Sequence, residues 1–143
     1  MLSALSYKSS KTINCEEQIM KKVKVALIGC GAMHAKSSHL PALSELDTVD
    51  FRAVCDINEK ALNETVRKYN VPEGFLDYKE MLRKVDLDAV FVILSPLRLY
   101  PVVLDCLYAN KHVSVEKRPG KDIFETEKMA KVAAERNLKT MVG

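Results

Sequence analysis

The chain has 143 residues, which is enough for one domain with a full hydrophobic core and hardly enough for two. Its 48% hydrophobic and 29% charged residues are typical of a soluble globular protein, and no apolar stretch reaches the ~18 residues of a membrane helix. The net charge of +3 is too balanced to indicate nucleic-acid binding. We therefore expect a cytoplasmic protein whose partners include neither nucleic acid nor a membrane.

The amino-terminal segment and the cysteines carry little functional signal. Residues 1–20 show no helical or strand periodicity and are expected to form a disordered extension, which leaves residues 21–143 as the domain. The four cysteines show neither CxxC pairs nor the spacing of metal ligands, so we expect free thiols and no metal site. Cys30 and Cys55 end neighbouring predicted strands, and we interpret them as small apolar fillers, with a redox role as the alternative.

The segment from Val23 to Met33, VKVALIGCGAM, predicts a buried strand that ends in a glycine turn. Gly29 and Gly31 would let backbone N–H groups approach an anion, most often a cofactor pyrophosphate. The third glycine of the usual G-x-G-x-x-G pattern is His34 here. An ordinary glycine turn after a buried strand remains the alternative.

A second strand, Val49 to Asp56, ends in an acid that lies 25 positions beyond Gly31. The dinucleotide-binding pattern expects an acid about 20 residues on, where it accepts hydrogen bonds from the adenosine ribose. Strand, glycine turn and acid come in the required order, which favours this role for Asp56. Alternatively, Asp56 only starts the next helix.

The helix between these two strands, Ala32 to Leu46, is interrupted by Pro41, which an α-helix interior does not tolerate. We therefore expect the helix to begin late, with Ser38 as its cap and Pro41 in its first turns. His34 and His39 could contact cofactor or substrate, but a solvated or capping histidine is the favoured interpretation of each.

Beyond Asp56 the pattern alternates regularly between helices and strands. The expected elements are a helix capped by Asn58, a short strand at Phe75-Leu76, a helix capped by Asp77, a strand from Asp88 to Leu94, a helix through Leu99 and Leu107, a strand from His112 to Val115, a helix from Asp122 to Arg136 and a strand from Lys139 to Val142. Right-handed crossovers in this order give an α/β fold, a doubly wound parallel sheet of six strands ordered 3-2-1-4-5-6. Gly31, Asp56, Ser95 and Lys117 would then share one edge.

Several of these stretches resemble the amino-terminal half of the glucose–fructose oxidoreductase and inositol dehydrogenase family (Gfo/Idh/MocA). The resemblance covers roughly residues 22–143 and rests on Gly29-Cys30-Gly31-Ala32-Met33, His39-Leu40-Pro41-Ala42-Leu43, Ala53-Val54-Cys55-Asp56, Asp88-Ala89-Val90 with Ser95-Pro96, and Lys111-His112-Val113-Ser114-Val115-Glu116-Lys117. The last of these stretches is the most specific.

The resemblance implies an NAD(P)-dependent oxidoreductase acting on a sugar, a cyclitol or a related compound. It implies a catalytic role for Lys117, which would assist proton transfer, with Glu116 beside the cofactor. The implied cofactor-binding residues are Gly29, Cys30, Gly31, Ala32, Met33, Asp56, Ile57, Ser95, Pro96, Leu97, Glu116 and Lys117. We expect NAD rather than NADP, because a carboxylate at Asp56 repels a 2′-phosphate, although Asn58 and Lys60 could tolerate one.

The sequence also departs from the family pattern. Leu97 and Tyr100 replace the usual Asn and His, Asn110 replaces a glycine, Arg118 intervenes before Pro119, and the loop around His34 is one residue longer. A non-catalytic NAD-sensing or regulatory module, or an interaction domain, is therefore the alternative function.

The resemblance implies that the cofactor domain is followed by a substrate domain, and we expect that domain to be absent here. We therefore expect a cofactor domain that binds NAD without turnover and takes a small-molecule substrate only together with a second domain. Apolar surface at Met129, Val132, Met141 and Val142 would lose its cover, so we also expect a possible homo-oligomer.

Overall fold

A six-stranded parallel sheet forms the centre of the computed structural model, which describes residues 21–143. The predicted extension over residues 1–20 and the thiol of Cys15 lie outside the described residues. The strand order is β3-β2-β1-β4-β5-β6, which confirms the predicted doubly wound sheet. The strands are β1 (Val23–Ile28), β2 (Val49–Cys55), β3 (Glu73–Phe75), β4 (Ala89–Val92), β5 (His112–Val115) and β6 (Thr140–Val142).

In the described part of the chain, five α-helices cover the two faces of the sheet and produce two separate hydrophobic clusters. They are α1 (Leu40–Glu45), α2 (Glu59–Tyr69), α3 (Tyr78–Lys84), α4 (Pro96–Tyr108) and α5 (Ile123–Glu135). Helices α1 and α2 pack on one face, and α3, α4 and α5 pack on the other. Across residues 21–143, none of these helices combines the length and apolar character that a bilayer crossing demands.

β1 lies at the centre of the sheet because its last four residues, Val25 to Ile28, are all buried. Such a strand needs neighbours on both edges and helices on both faces. It pairs in parallel with β2 on one side and β4 on the other, with Ile28 opposite both Cys55 and Val92. The carboxyl ends of these three strands therefore meet at the same level.

Three helices begin at the polar caps that the sequence predicts. Asn58 Oδ1 accepts a hydrogen bond from the Ala61 N–H at 3.1 Å. Asp77 and Asp122 accept equivalent bonds from backbone N–H groups in the first turns of α3 and α5. Each cap satisfies a backbone donor that has no partner within its own helix.

The helix after β1 does not begin where the sequence predicts. Helical structure starts at residue 33, and Ala35–His39 form a π-helical turn that continues directly into α1. The expected cap at Ser38 is wrong, because Ser38 lies inside the helix and its hydroxyl donates to the His34 carbonyl at 2.9 Å. The π turn, in which the Leu40 N–H donates to the Ala35 carbonyl, changes the hydrogen-bond spacing just before Pro41 and so lets the helix include it.

The apolar residues near β6 divide into two groups. Met129 and Val132 are buried between α5 and the sheet, so the expectation that they would be uncovered is wrong. Met141 and Val142 are 58% and 53% exposed on β6, which is an edge strand that pairs only with β5 among residues 21–143. A small apolar cavity of about 110 Å³ lies between β5, β6 and α5.

Candidate functional site

The turn after β1 is built around a glycine, at a position where any side chain would be strained. The Gly29 N–H donates to the Cys55 carbonyl at 2.8 Å, which anchors the turn to the end of β2. Gly29 has a φ of +90°, and a Cβ at this position would lie 2.2 Å from the Ile93 carbonyl oxygen. The backbone can therefore pass between the ends of β2 and β4 only because this residue has no side chain.

Gly31 and Asp56 are brought into direct contact although they are 25 residues apart. The Gly31 N–H donates to Asp56 Oδ2 at 2.7 Å, and the Asn58 N–H donates to Asp56 Oδ1 at 2.8 Å. A Cβ on Gly31 would lie 2.8 Å from Asp56 Oδ2, so glycine is what admits the carboxylate. The result is a half-buried carboxylate held against the glycine turn, with oxygen lone pairs left over for further donors.

Cys30 and Cys55 lie at this edge but face the interior. Both thiols are buried, and burial raises the pKa of Cys30 to about 11 and that of Cys55 to about 12. Neutral, inaccessible thiols do not act as nucleophiles, which favours their interpretation as apolar fillers. The side chain of Cys30 is therefore not accessible to a ligand.

Three large apolar side chains stand exposed next to the strand ends. Met33, Ile57 and Leu97 are 82%, 77% and 83% exposed and follow the ends of β1, β2 and β4 respectively. An exposed apolar side chain loses the stabilisation that burial would give it, about 1.5–3 kcal/mol for a residue of this size. Three of them beside three neighbouring strand ends are typical of the apolar walls of a ligand site.

Ser95 and Pro96 begin α4 at the end of β4. Ser95 is the N-cap residue, and its carbonyl accepts hydrogen bonds from the Arg98 and Leu99 N–H groups. Its side chain makes no capping hydrogen bond and is exposed. The Ser95 hydroxyl is therefore available at the same edge as Asp56. Tyr100, which stands where the family pattern has His, packs against the core instead.

Glu116 and Lys117 follow β5 at the next strand end. Lys117 is exposed, and its backbone N–H donates to the Gly143 carbonyl at 3.0 Å. Glu116 Oε1 lies 3.0 Å from His39 Nε2, and this pair was not predicted from the sequence. The favoured interpretation of His39 as solvated or capping is wrong, whereas His34 is indeed exposed. In the sequence, the only indication that these two residues matter is that each lies in a stretch that resembles the family.

The sequence model of the Gfo/Idh/MocA oxidoreductase family, described as an NAD-binding Rossmann fold, matches residues 23–143. The chain belongs to this family. It is 30% identical over 122 residues to a 4-carboxy-2-hydroxymuconate-6-semialdehyde dehydrogenase from Sphingobium sp., a match that covers 85% of this chain and 38% of the relative.

Solved structures of the family include proteins with either nicotinamide cofactor. A scyllo-inositol dehydrogenase from Lactobacillus casei with bound NAD(H) and scyllo-inositol shares 27% identity at a TM-score of 0.80, over 86% of this chain and 36% of that one. A 3-ketoreductase variant from Actinomadura kijaniata in complex with TDP-benzene and NADP shares 28% identity at a TM-score of 0.80, over 86% and 38%. The chain thus spans little more than a third of the length of these relatives.

Proposed function

We propose that residues 21–143 bind NAD as the cofactor unit of an oxidoreductase that transfers hydride between NAD(P) and a sugar, a cyclitol or a related compound. The observation that carries this proposal is the hydrogen bond between the Gly31 N–H and the Asp56 carboxylate at 2.7 Å. It puts an acid beside a glycine turn at the reversal of strand order, where doubly wound sheets bind dinucleotides.

The residues at this edge fit the chemical parts of such a cofactor. The glycine turn from Gly29 to Met33, which leads into the N-terminus of the next helix, would hold the pyrophosphate, because a helix N-terminus attracts an anion. Asp56 would accept from the ribose hydroxyls, and the exposed side chain of Ile57 would cover the adenine. The nicotinamide, which supplies or accepts the hydride, would lie towards Ser95, Pro96, Leu97 and Glu116.

Asp56 also bears on the choice between NAD and NADP. A carboxylate that accepts from both ribose hydroxyls repels the 2′-phosphate of NADP. The pair of hydrogen bonds from Gly31 and Asn58 to Asp56 would keep this negative charge in place at the ribose. We therefore propose NAD as the preferred cofactor, although relatives of the chain have been crystallised with either one.

Lys117 is the proposed catalytic residue. It is exposed at the end of β5, two strands from the glycine turn, and so lies on the edge that a bound cofactor would cross. Its ammonium would hold and move the proton of the substrate hydroxyl whose carbon exchanges hydride. Hydride transfer requires the substrate to be held about 3–3.5 Å from the nicotinamide, and we propose that a second domain supplies that wall. The unit alone would then bind cofactor without turnover.

Isothermal titration calorimetry with NADH and NADPH tests the proposal. NADH should bind more tightly than NADPH, and Asp56→Ala should weaken NADH binding by about tenfold, because two hydrogen bonds of ~0.5–1.5 kcal/mol each are lost. Glu45→Gln is the matched control, since Glu45 is exposed at the far end of α1 and should leave both affinities unchanged.

Two results would contradict the proposal. Tighter binding of NADPH, or an unchanged NADH affinity in Asp56→Ala, would overturn the assigned role of Asp56. If neither cofactor binds at millimolar concentration, the cofactor role itself fails and the chain is better interpreted as an interaction domain.

A further inference from the structure

His39 and Glu116 form a partly buried polar pair between two parts of the site that the sheet does not join directly. His39 Nε2 lies 3.0 Å from Glu116 Oε1, and the two side chains are only 23% and 18% exposed. The His39 ring also packs against Phe91 of β4, with 5.9 Å between ring centroids and a 54° tilt. A hydrogen bond with this degree of burial is held by its surroundings, unlike an exposed ion pair.

The pair spans the strand that separates its two partners. β4 lies between β1 and β5, and adjacent strands are about 4.8 Å apart, so the ends of β1 and β5 are separated by roughly 10 Å. His39 belongs to the helix that follows the glycine turn of β1, and Glu116 is the first residue after β5. The hydrogen bond therefore ties the glycine-turn helix to the loop that begins with Glu116 and Lys117.

The π-helical turn explains how His39 reaches this position. Ala35 and Leu40 are both fully buried although they are five residues apart, a spacing that would put them on different faces of an α-helix. The hydrogen bond from the Leu40 N–H to the Ala35 carbonyl spans five residues and keeps both inside. His39 then lies next to Leu40 at the rim of the buried face. Isolated π turns of this kind occur frequently at functional sites.

We propose that the His39–Glu116 pair positions the nicotinamide end of the site by holding the loop after β5 in place before the cofactor binds. This inference rests on the proposed cofactor function. The Glu116 carboxylate is directed to His39 and not to the neighbouring Lys117, so the pair fixes the loop without neutralising the lysine. A loop that is already held in place does not lose conformational entropy when a ligand binds. The resulting gain in affinity applies only to a ligand that contacts this loop.

A comparison of NADH with ADP-ribose separates positioning from a general role in stability. ADP-ribose contains the adenosine, both phosphates and the second ribose, but it lacks the nicotinamide ring. His39→Ala and Glu116→Ala should each weaken NADH binding about five- to tenfold and change ADP-ribose binding less than twofold. Both substitutions remove the same hydrogen bond. The double variant should therefore bind NADH with an affinity no lower than that of the single variant that binds NADH less tightly.

Glu116→Gln is the conservative variant, since its amide oxygen can still accept a hydrogen bond from His39 Nε2–H. It should recover NADH affinity to within about threefold of the unmodified chain, and Glu45→Gln should leave both affinities unchanged. If circular dichroism shows that His39→Ala does not fold, the comparison of Glu116→Ala with Glu116→Gln tests the proposal without it.

The outcomes are distinguishable. Equal weakening of NADH and ADP-ribose, additive effects in the double variant, or no effect on NADH would overturn the positioning role while leaving the cofactor function intact. If the unmodified chain binds neither ligand, the proposed function fails and the positioning role fails with it.

Discussion

Replacing Gly29 with alanine should destabilise the fold much more than replacing Gly31. At Gly29, φ is +90° and the new Cβ would lie 2.2 Å from the Ile93 carbonyl oxygen, a backbone atom that no side-chain rotation can move. The conformational cost of alanine at a positive φ is about 1–2 kcal/mol, and overpacking adds about 1–3 kcal/mol. We therefore expect Gly29→Ala to lower the free energy of unfolding by about 2–5 kcal/mol, out of a typical total of about 5–15 kcal/mol.

At Gly31 the nearest obstacle is the Asp56 carboxylate at 2.8 Å, which can rotate away. Gly31→Ala should therefore cost only about 1–2 kcal/mol, mainly through the lost hydrogen bond to Asp56. Its larger effect should be on NADH binding, because the same rotation removes the carboxylate from the proposed ribose site.

Urea denaturation followed by circular dichroism measures both effects. With an m-value of about 1–3 kcal/mol/M, Gly29→Ala should lower the midpoint by at least about 0.7 M, and Gly31→Ala should lower it by clearly less. If the two variants have the same midpoint, or if Gly29→Ala is as stable as the unmodified chain, the argument from the close approach of β1 and β4 is refuted.

Four further predictions follow from the site and its surroundings. In a longer protein that supplies a substrate domain, Lys117→Ala should lower kcat by about 10²–10⁴-fold with little change in NAD affinity, and a steady-state assay of normal activity would remove its catalytic role. Unfolded thiols ionise near pH 8.5, whereas the pKa of Cys30 is raised to about 11 and that of Cys55 to about 12, so the free energy of unfolding should fall as pH rises from about 8.5 to 11. Denaturation of a Cys30→Ala, Cys55→Ala variant across that range should show a shallower fall, and an identical slope would contradict the assignment. Met141→Lys should reduce self-association at high concentration in light scattering, because Met141 is exposed on the edge strand, and a strictly monomeric unmodified chain would rule association out. Asn58→Ala should lower the unfolding free energy by about 1 kcal/mol through loss of the α2 cap, and an unchanged urea midpoint would show that the cap contributes nothing.

The order of the strands could be predicted from the sequence because the deciding signals are local. The apolar run of β1 and its glycine turn, together with the caps at Asn58 and Asp122, depend on neighbouring residues only. Parallel strands joined by short helices then leave few possible topologies. The same reasoning put Asp56 at the carboxyl end of β2, on the same edge as Gly31, but it did not predict the hydrogen bond between them.

What the sequence did not reveal depends on packing between distant residues. The His39–Glu116 pair joins residues 77 apart, and no periodicity links them. Pro41 indicated a late helix start because regular α-helical spacing does not accommodate a proline there, whereas the π turn keeps both Ala35 and Leu40 buried and the helix continuous. Met129 and Val132 are covered by the domain's own sheet and helices, which composition near β6 could not show.

The central position of β1 has a consequence for synthesis on the ribosome. β1 is the first of the six described strands to be made, and its two edges are completed at different times. β2 follows soon after, whereas β4 emerges about 60 residues later, an interval of about 3–12 s at typical elongation rates. During that interval β4, the partner of one edge of the buried strand β1, has not yet been synthesised. A nascent chain that has reached residue 88 but not yet β4 is thus the species in which this domain most needs protection from pairing with neighbouring chains.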